Sequence, residues 1–283
     1  MTYGQLTKRK SARALTKDRK DREAREARAD ARIEKLKLKL KASGKLRFSR
    51  RNAKLIKQGQ AIFSIPAGHA CPFALTCLAF ADRETGQITD GKDAEVRCFA
   101  ASGEAWARSA RVVHWHNFDM LRSCKTKSEL VSLILSSLPD KITLVRIHAA
   151  GDFYSLLYFQ AWLEVAKLRP GILFYAYTKA IYFWVQHIDS IPVNLRLTAS
   201  YGGTHDHLIA QHSLKSAIIV NWRIDAQLQG LEIDHDDSHA WQGDASFALL
   251  IHGTQKAGSI QAKAWSAQRA DKSAAKLRPS YTV

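Results

Sequence analysis

Six short runs rich in β-branched and aromatic residues recur from residue 59 onward, and the segments between them carry helical periodicity. The runs are AIFSI at 61–65, ITLVRIHA at 142–149, ILFYAYT at 172–178, NLRLTAS at 194–200, SAIIVNW at 216–222 and SFALLIHG at 246–253. Runs of this length and composition, bounded by turn residues, read as strands. SLLYFQAWLEVAKL at 155–168 places apolar residues at helical spacing, and a shorter pattern of the same kind surrounds YFWVQHI at 182–188. Strands that alternate with helices pair in parallel through crossovers of one hand, so the expected fold class is α/β, a partial (β/α)6 barrel-like parallel sheet rather than a sandwich.

With 46% hydrophobic residues among 283, the chain has material for one large core and an appendage. Its most apolar stretch, LVSLILSSL at 130–138, is far too short to span a bilayer, and MTYGQLTKRKSARAL at the start has no apolar export segment. A soluble, cytoplasmic protein is the expectation, with no membrane partner.

The charge is unevenly placed. Residues 1–58 hold 21 Lys and Arg against 6 Asp and Glu, a net of +15, which leaves +2 of the total +17 for residues 59–283. Residues 14–41, free of Gly and Pro, have strong helix composition, and pairs such as Asp18 with Arg22 or Asp21 with Arg25 stand at ion-pairing distance along a helix. Ile33, Leu36 and Leu40 form a short apolar row, with Leu38 off it. The expected organisation is a basic helical arm over 1–58 and an α/β domain with a cysteine loop over 59–283. Such an arm suits a polyanion, DNA or RNA, and its near lack of aromatics, Phe48 apart, favours phosphate contact over base stacking. A solvated helix is the plainer alternative.

All four cysteines fall between positions 71 and 124: Cys71, Cys77, Cys98 and Cys124. Clustered thiols in a chain without export signals point to metal ligation rather than to disulfides or scattered core residues. The spacing C-x5-C-x20-C lacks paired C-x2-C knuckles, which weakens zinc relative to an iron-sulfur cluster, though thiolates serve both. FADRETGQITDGKDAEV, between Cys77 and Cys98, carries TG and DG pairs expected to form a hairpin that returns Cys98 to the other two.

In parallel α/β folds, sites gather at the C-terminal ends of strands. The second run ends in Arg146, His148, Gly151 and Asp152, the third in Tyr177, Thr178 and Lys179, and the fourth in Thr198, Ser200, Tyr201, Gly202 and Gly203. Asp152 or Ser155 is the candidate N-cap of the following helix. The Gly202–Gly203 pair allows close backbone approach by a ligand or makes a plain turn. IDHDDSHAWQGD at 233–244 combines carboxylates and imidazoles, a donor set for a hard cation or zinc, and reads more simply as a polar loop.

Taken together, IPAGHACPFALTC, RCFA at 97–100, HNFD at 116–119, RIHAAGDFYSLLYFQAWLEVA at 146–166 and FYAYTK at 174–179 make the stretch from about 59 to 265 resemble the phage-associated gene product 88 family, itself remotely similar to radical SAM enzymes. That resemblance implies a [4Fe-4S] cluster held by Cys71, Cys77 and Cys98, with Cys124 as a possible fourth ligand. It also implies S-adenosylmethionine bound near Gly151 and Asp152, with Thr198 and Ser200 toward its ribose. The sequence departs from the compact CxxxCxxC loop of radical SAM enzymes by the long insertion before Cys98. Its implied function is an iron-sulfur, radical-SAM-like enzyme of a phage or mobile element, with nucleic acid as the candidate substrate; the alternative is a basic-armed DNA- or RNA-binding protein with structural zinc or no metal.

Overall fold

All six runs become strands of one sheet, and the sheet is parallel throughout. The computed structural model describes residues 12–50 and 60–276. In chain order its elements are α1 (Ala12–Ser43), β1 (Gln60–Ile62), β2 (Ala79–Ala81), β3 (Ile88–Asp90), α2 (Phe99–Trp106), α3 (Arg108–Ser123), α4 (Lys127–Ser137), β4 (Leu144–Ile147), α5 (Leu156–Leu168), β5 (Leu173–Thr178), α6 (Ile181–Gln186), β6 (Leu195–Ser200), α7 (His207–Gln211), β7 (Ser216–Val220), α8 (Arg223–Leu228), β8 (Glu232–Ile233), α9 (Ser238–Trp241), β9 (Phe247–Leu250) and α10 (Ile260–Lys276). Contacts divide the chain after Gly44. The arm boundary expected at residue 58 lies outside the described residues.

α1 is one helix, as its composition dictates, and its ion pairs include Arg19–Glu23, Arg22–Glu26 and Glu34–Lys37. These pairs are exposed and contribute little stability individually. Among the described residues no helix is long and apolar enough to cross a membrane.

In the second unit the seven-stranded sheet has the order β1-β4-β5-β6-β7-β9-β8. Strand order rises steadily from β1 to β7 without the reversal of a doubly wound sheet, which is the winding of a barrel; β8, a short strand, lies outside β9, and the ladder runs from β1 to β8 without closing. The fold is therefore an open α/β sheet wound like a partial barrel.

Alternation along the strands separates two faces. Val145, Ile147, Phe174, Ala176, Leu195, Leu197 and Ala199 face one way and join Phe159, Trp162 and Val165 of α5 and Leu130 and Ile134 of α4 in the largest core cluster. Leu144, Tyr175, Ala217 and Phe247 belong to a second cluster with Ala240 of α9. Arg146, the residue between Val145 and Ile147, shares that second face, and Tyr175 and Tyr177 stand beside it in register. Ser155 caps α5, its hydroxyl accepting from the Tyr158 amide at 3.3 Å, and Thr126 closes a capping box with Glu129 on α4.

Ser155→Ala should lower stability by about 1 kcal/mol, the usual worth of an N-cap, whereas Trp162→Ala, at a fully buried position, should cost about 3–5 kcal/mol. Urea denaturation midpoints of the two variants check this, and equal shifts would contradict the assignment of Trp162 to the centre of the core.

A cavity at the strand ends with three cysteines

The IPAGHACPFALTC segment leaves β1 and crosses the strand ends through a series of short turns: Ala70 N donates to Pro66 O, Cys71 N to Gly68 O and Ala74 N to Cys71 O. Gly202 then receives the loop. Its carbonyl accepts from both Leu75 N and Thr76 N at 3.0 Å, and Ala74 bridges Gly203. A Cβ on Gly202, whose φ is +97°, would stand 2.2 Å from Thr76 Oγ1. The glycine pair after β6 therefore makes room for the cysteine loop, a close approach of chain to chain rather than of chain to ligand.

Beyond Cys77 the chain runs out into the hairpin β2–β3, antiparallel as the TG and DG pairs predict. Gly91 N donates to Leu78 O at the hairpin base, and the amides of Glu95 and Val96 then both donate to the carbonyl of Thr76 at 2.8 and 3.0 Å. Arg97 clamps Asp90 with two bonds of 2.7 and 2.5 Å, and Gln255 holds both the amide and the carbonyl of Arg97. Cys98 follows at once, at the N-cap of α2.

The result is a cavity of about 430 Å³ with Cys71, Cys77 and Cys98 in its wall, together with Gly151, Asp152 and Ser200. Cys124 stands apart from them, at the C-cap of α3, where its thiol packs against the main core and approaches Met120 O at 3.7 Å. Thr198 is fully buried beneath the wall, its hydroxyl without a protein partner. Among the described residues no three His, Cys, Asp or Glu side chains converge closely enough to hold a single metal ion.

The electrostatics of the thiols are shared. Burial, then the Asp152 carboxylate, then Cys98 and Cys77 push the Cys71 thiol well above its ordinary value. Burial and Cys77 push Cys98 up to about 11, against the pull of the Ala100 and Ala101 amides at the start of α2. A cation among the three sulfurs would reverse these shifts, because a coordinating thiol is deprotonated outright.

Asp152 ties strand ends together. Its Oδ1 accepts from Phe153 N at 2.7 Å and Thr178 Oγ1 at 2.6 Å, its Oδ2 from Lys179 N at 2.7 Å, and burial raises its pKa despite these bonds. The helix cap falls to Ser155, not Asp152. Lys179 Nζ donates to Ser200 Oγ at 2.6 Å and to the carbonyls of Ser200 and Tyr201 at 3.2 and 2.8 Å.

The 233–244 segment is a polar loop in part: His235, Asp236 and Asp244 are exposed, while others of its residues turn onto the sheet. Asp234 is buried, and Asp237, in a left-handed conformation at φ 68°, pairs with Arg146 Nη1 at 2.5 Å and lies 2.9 Å from Tyr175 Oη. Asp234 and Asp237 thus fill the sheet face that Arg146 and the tyrosines leave polar. Trp265 and Gln268 of α10 also line the cavity; nothing in their Ala-rich helical stretch signals this. His148, 3% exposed, bonds Tyr158 Oη through Nε2 at 2.9 Å, and burial together with Arg146 lowers its pKa to about 3.

An open parallel sheet with three thiols and a cavity at its C-terminal edge defines the class. Residues 10–276 match the family described as Gene product 88, and the chain belongs to that family. It is 29% identical over 109 residues to the Gene 88 protein of Mycobacterium phage L5, covering 34% of this chain and 45% of that one, and 28% identical over the same length and shares to the Gene 88 protein of Mycobacterium phage D29. The match thus spans less than half of each curated relative. No solved structure matches.

The His148 ring should stay neutral in the folded protein. With a folded pKa of about 3 against 6.5 for the free side chain, the unfolded state binds the extra proton between those values, so this residue's contribution to stability is lost as pH falls from 6.5 toward 3. Imidazole ¹⁵N spectra recorded on titration from pH 7 to 4 check it; a His148 resonance titrating near 6.5 would refute it.

Proposed function

We propose that the protein is an iron-sulfur enzyme of radical-SAM-like type, in which Cys71, Cys77 and Cys98 hold a [4Fe-4S] cluster and the adjoining cavity takes S-adenosylmethionine. The observation that carries this reading is the return of Cys98 across twenty intervening residues to the same cavity wall as Cys71 and Cys77. Three soft donors, two of them, Cys71 and Cys98, with raised thiol pKa values, next to an open cavity, suit a site that needs a cation and leaves room for a second ligand. Such a cluster, when bound, supplies an electron at its open iron to the sulfonium of S-adenosylmethionine.

The residues around the thiols supply binding and orientation. Gly151, at φ +84°, has Ile65 within 2.4 Å of where a Cβ would stand, so the chain turns tightly there and keeps backbone in the cavity wall. Asp152 fixes the ends of β5 and the Gly151 turn, and Ser200, oriented by Lys179, offers its backbone and hydroxyl at the rim. Thr198, below the wall, serves packing in this reading.

Cys124 has no part in it. Anaerobically purified protein should be brown and contain iron and sulfide; Cys71→Ala, Cys77→Ala and Cys98→Ala should each lose most of the iron, and Cys124→Ala should retain it. Elemental analysis decides, and colourless protein free of iron after reconstitution would overturn the reading.

The basic arm is proposed to recruit nucleic acid by phosphate contact. Removing residues 1–44 should weaken DNA or RNA binding at least tenfold and flatten the dependence of log K on log salt, each lost phosphate contact reducing the slope by about 0.9 for duplex DNA and about 0.7 for single strands. Filter binding at several salt concentrations measures both, and unchanged affinity and slope would count against the arm.

A further inference from the structure

At the β1 edge the sheet is finished by a segment that carries charge without counterions. From Lys35 to Ala81 the chain has ten Lys and Arg and no Asp or Glu. Residues 45–50 of that stretch lie along β1, where Ser49 and Ile62 exchange two antiparallel backbone bonds, each of 2.8 Å. Leu46 and Phe48 belong to the main core, and the backbone around them is held by α3 and α4. Leu46 N donates to Ser137 Oγ at 2.8 Å and Arg47 N to Asn117 Oδ1 at 2.7 Å, while Asn117 Nδ2 donates to the carbonyls of Arg47 and Ser64 at 3.0 and 2.9 Å. Extended alternation then leaves Lys45 and Arg47 exposed, and Arg50, past the last core residue of the segment, is exposed as well.

Register gives this row a direction. Asn117 links Arg47 to Ser64, two residues beyond Ile62, so the row climbs from Arg50 through Arg47 to Lys45 toward the strand ends at which the cavity lies. Several other arginines of the body are matched by acids: Arg83 by Asp119, Arg97 by Asp90 and Arg196 by Asp244. Among the described residues Arg47 and Arg50 make no ion pair. Two guanidiniums without counterions on a firmly bonded backbone attract a polyanion, and less freedom is lost when it binds. Their planar forks match phosphate oxygens. Leu46 and Phe48 are buried, so the segment presents no apolar side chain of its own for insertion into a lipid surface.

We infer that Arg47 and Arg50, continued by Lys45, form a phosphate track on the body itself, which lays a nucleic-acid strand along the β1 edge in the direction of the cavity. The inference takes its ligand from the nucleic-acid reading of the arm but stands on residues that removal of 1–44 leaves in place, so the two fail separately.

The test is Arg47→Gln/Arg50→Gln in the full chain, with filter binding of duplex DNA and of single-stranded RNA at several salt concentrations. The slope of log K against log salt should fall by about 0.9 per lost contact on the duplex and about 0.7 on the single strand, whatever the base sequence. Arg47→Lys/Arg50→Lys should keep the slope, which separates lost charge from a disturbed fold. Lys167→Gln/Arg169→Gln removes the same charge at the far end of α5, where the chain enters β5, and should leave the slope unaltered. An unchanged slope in the glutamine variant at 47 and 50, an equal fall in the control at 167 and 169, or no binding by the unaltered chain would each overturn the inference. So would poly-glutamate competing as strongly as nucleic acid, which would make the track a surface for acidic proteins. Binding that falls on removal of 1–44 but not in the variant at 47 and 50 would keep the arm reading and sink this one.

Discussion

One carbonyl organises the cavity. Thr76 O accepts from the amides of both Glu95 and Val96, and those two bonds turn an insertion of twenty residues into a short return path, so that Cys98 emerges beside Cys77 instead of a loop length away. The cost of closing such a loop grows only slowly with its length. The hairpin between β2 and β3 lowers it further by ordering its own residues. Once the loop is closed, Cys98 starts α2, and the far end of the chain locks that start: Ser102 Oγ donates to Thr254 O and Gln255 brackets Arg97. The thiols thus come from two stretches, the 71–77 loop and the start of α2, each held by hydrogen bonds of its own rather than by its cysteines.

Much of this architecture was legible in the residues. Every one of the six β-rich runs is a strand, because period-two alternation of Val145, Ile147 and Phe174 against Arg146, Tyr175 and Tyr177 leaves a single way to lay them on a core. The winding order followed from crossover handedness, and the cysteine hairpin followed from its turn dipeptides. What local pattern could not deliver was pairing partners. The Gly202–Gly203 turn looks the same in sequence whether a ligand or another loop approaches it, and only the fold brings Thr76 to within 2.2 Å of the missing Cβ. Likewise the acids of 233–244 are indistinguishable from a solvated loop until Arg146 is seen to need a counterion. Trp265 and Gln268 lie so far along the chain from the strands they cover that no local signal links them.

The same reasoning separates Cys124 from its neighbours. Sequence proximity groups it with the others, yet it ends a helix, and its thiol is raised by burial and Glu129 alone. Cys71 and Cys98, by contrast, are raised in part by other cysteines. Mutual repulsion between thiolates is a report of proximity that spacing in the chain cannot supply, and it sorts the four into three and one.

The cavity is electrically divided as a consequence. At one end, Asp152, Cys98 and Cys77 make ionisation of Cys71 harder, and a cation bound there would displace thiol protons, so its affinity would rise with pH. At the other, Arg146 pairs with Asp237, and burial together with Arg146 keeps the His148 ring neutral. Residues 1–44, the first unit, hold 15 Lys and Arg against 6 Asp and Glu, a net of +9, and residues 45–283 hold 28 against 20, a net of +8. Salt screens exposed charge such as that of the first unit's helix far more than the buried Arg146–Asp237 pair, so the two respond differently to ionic strength.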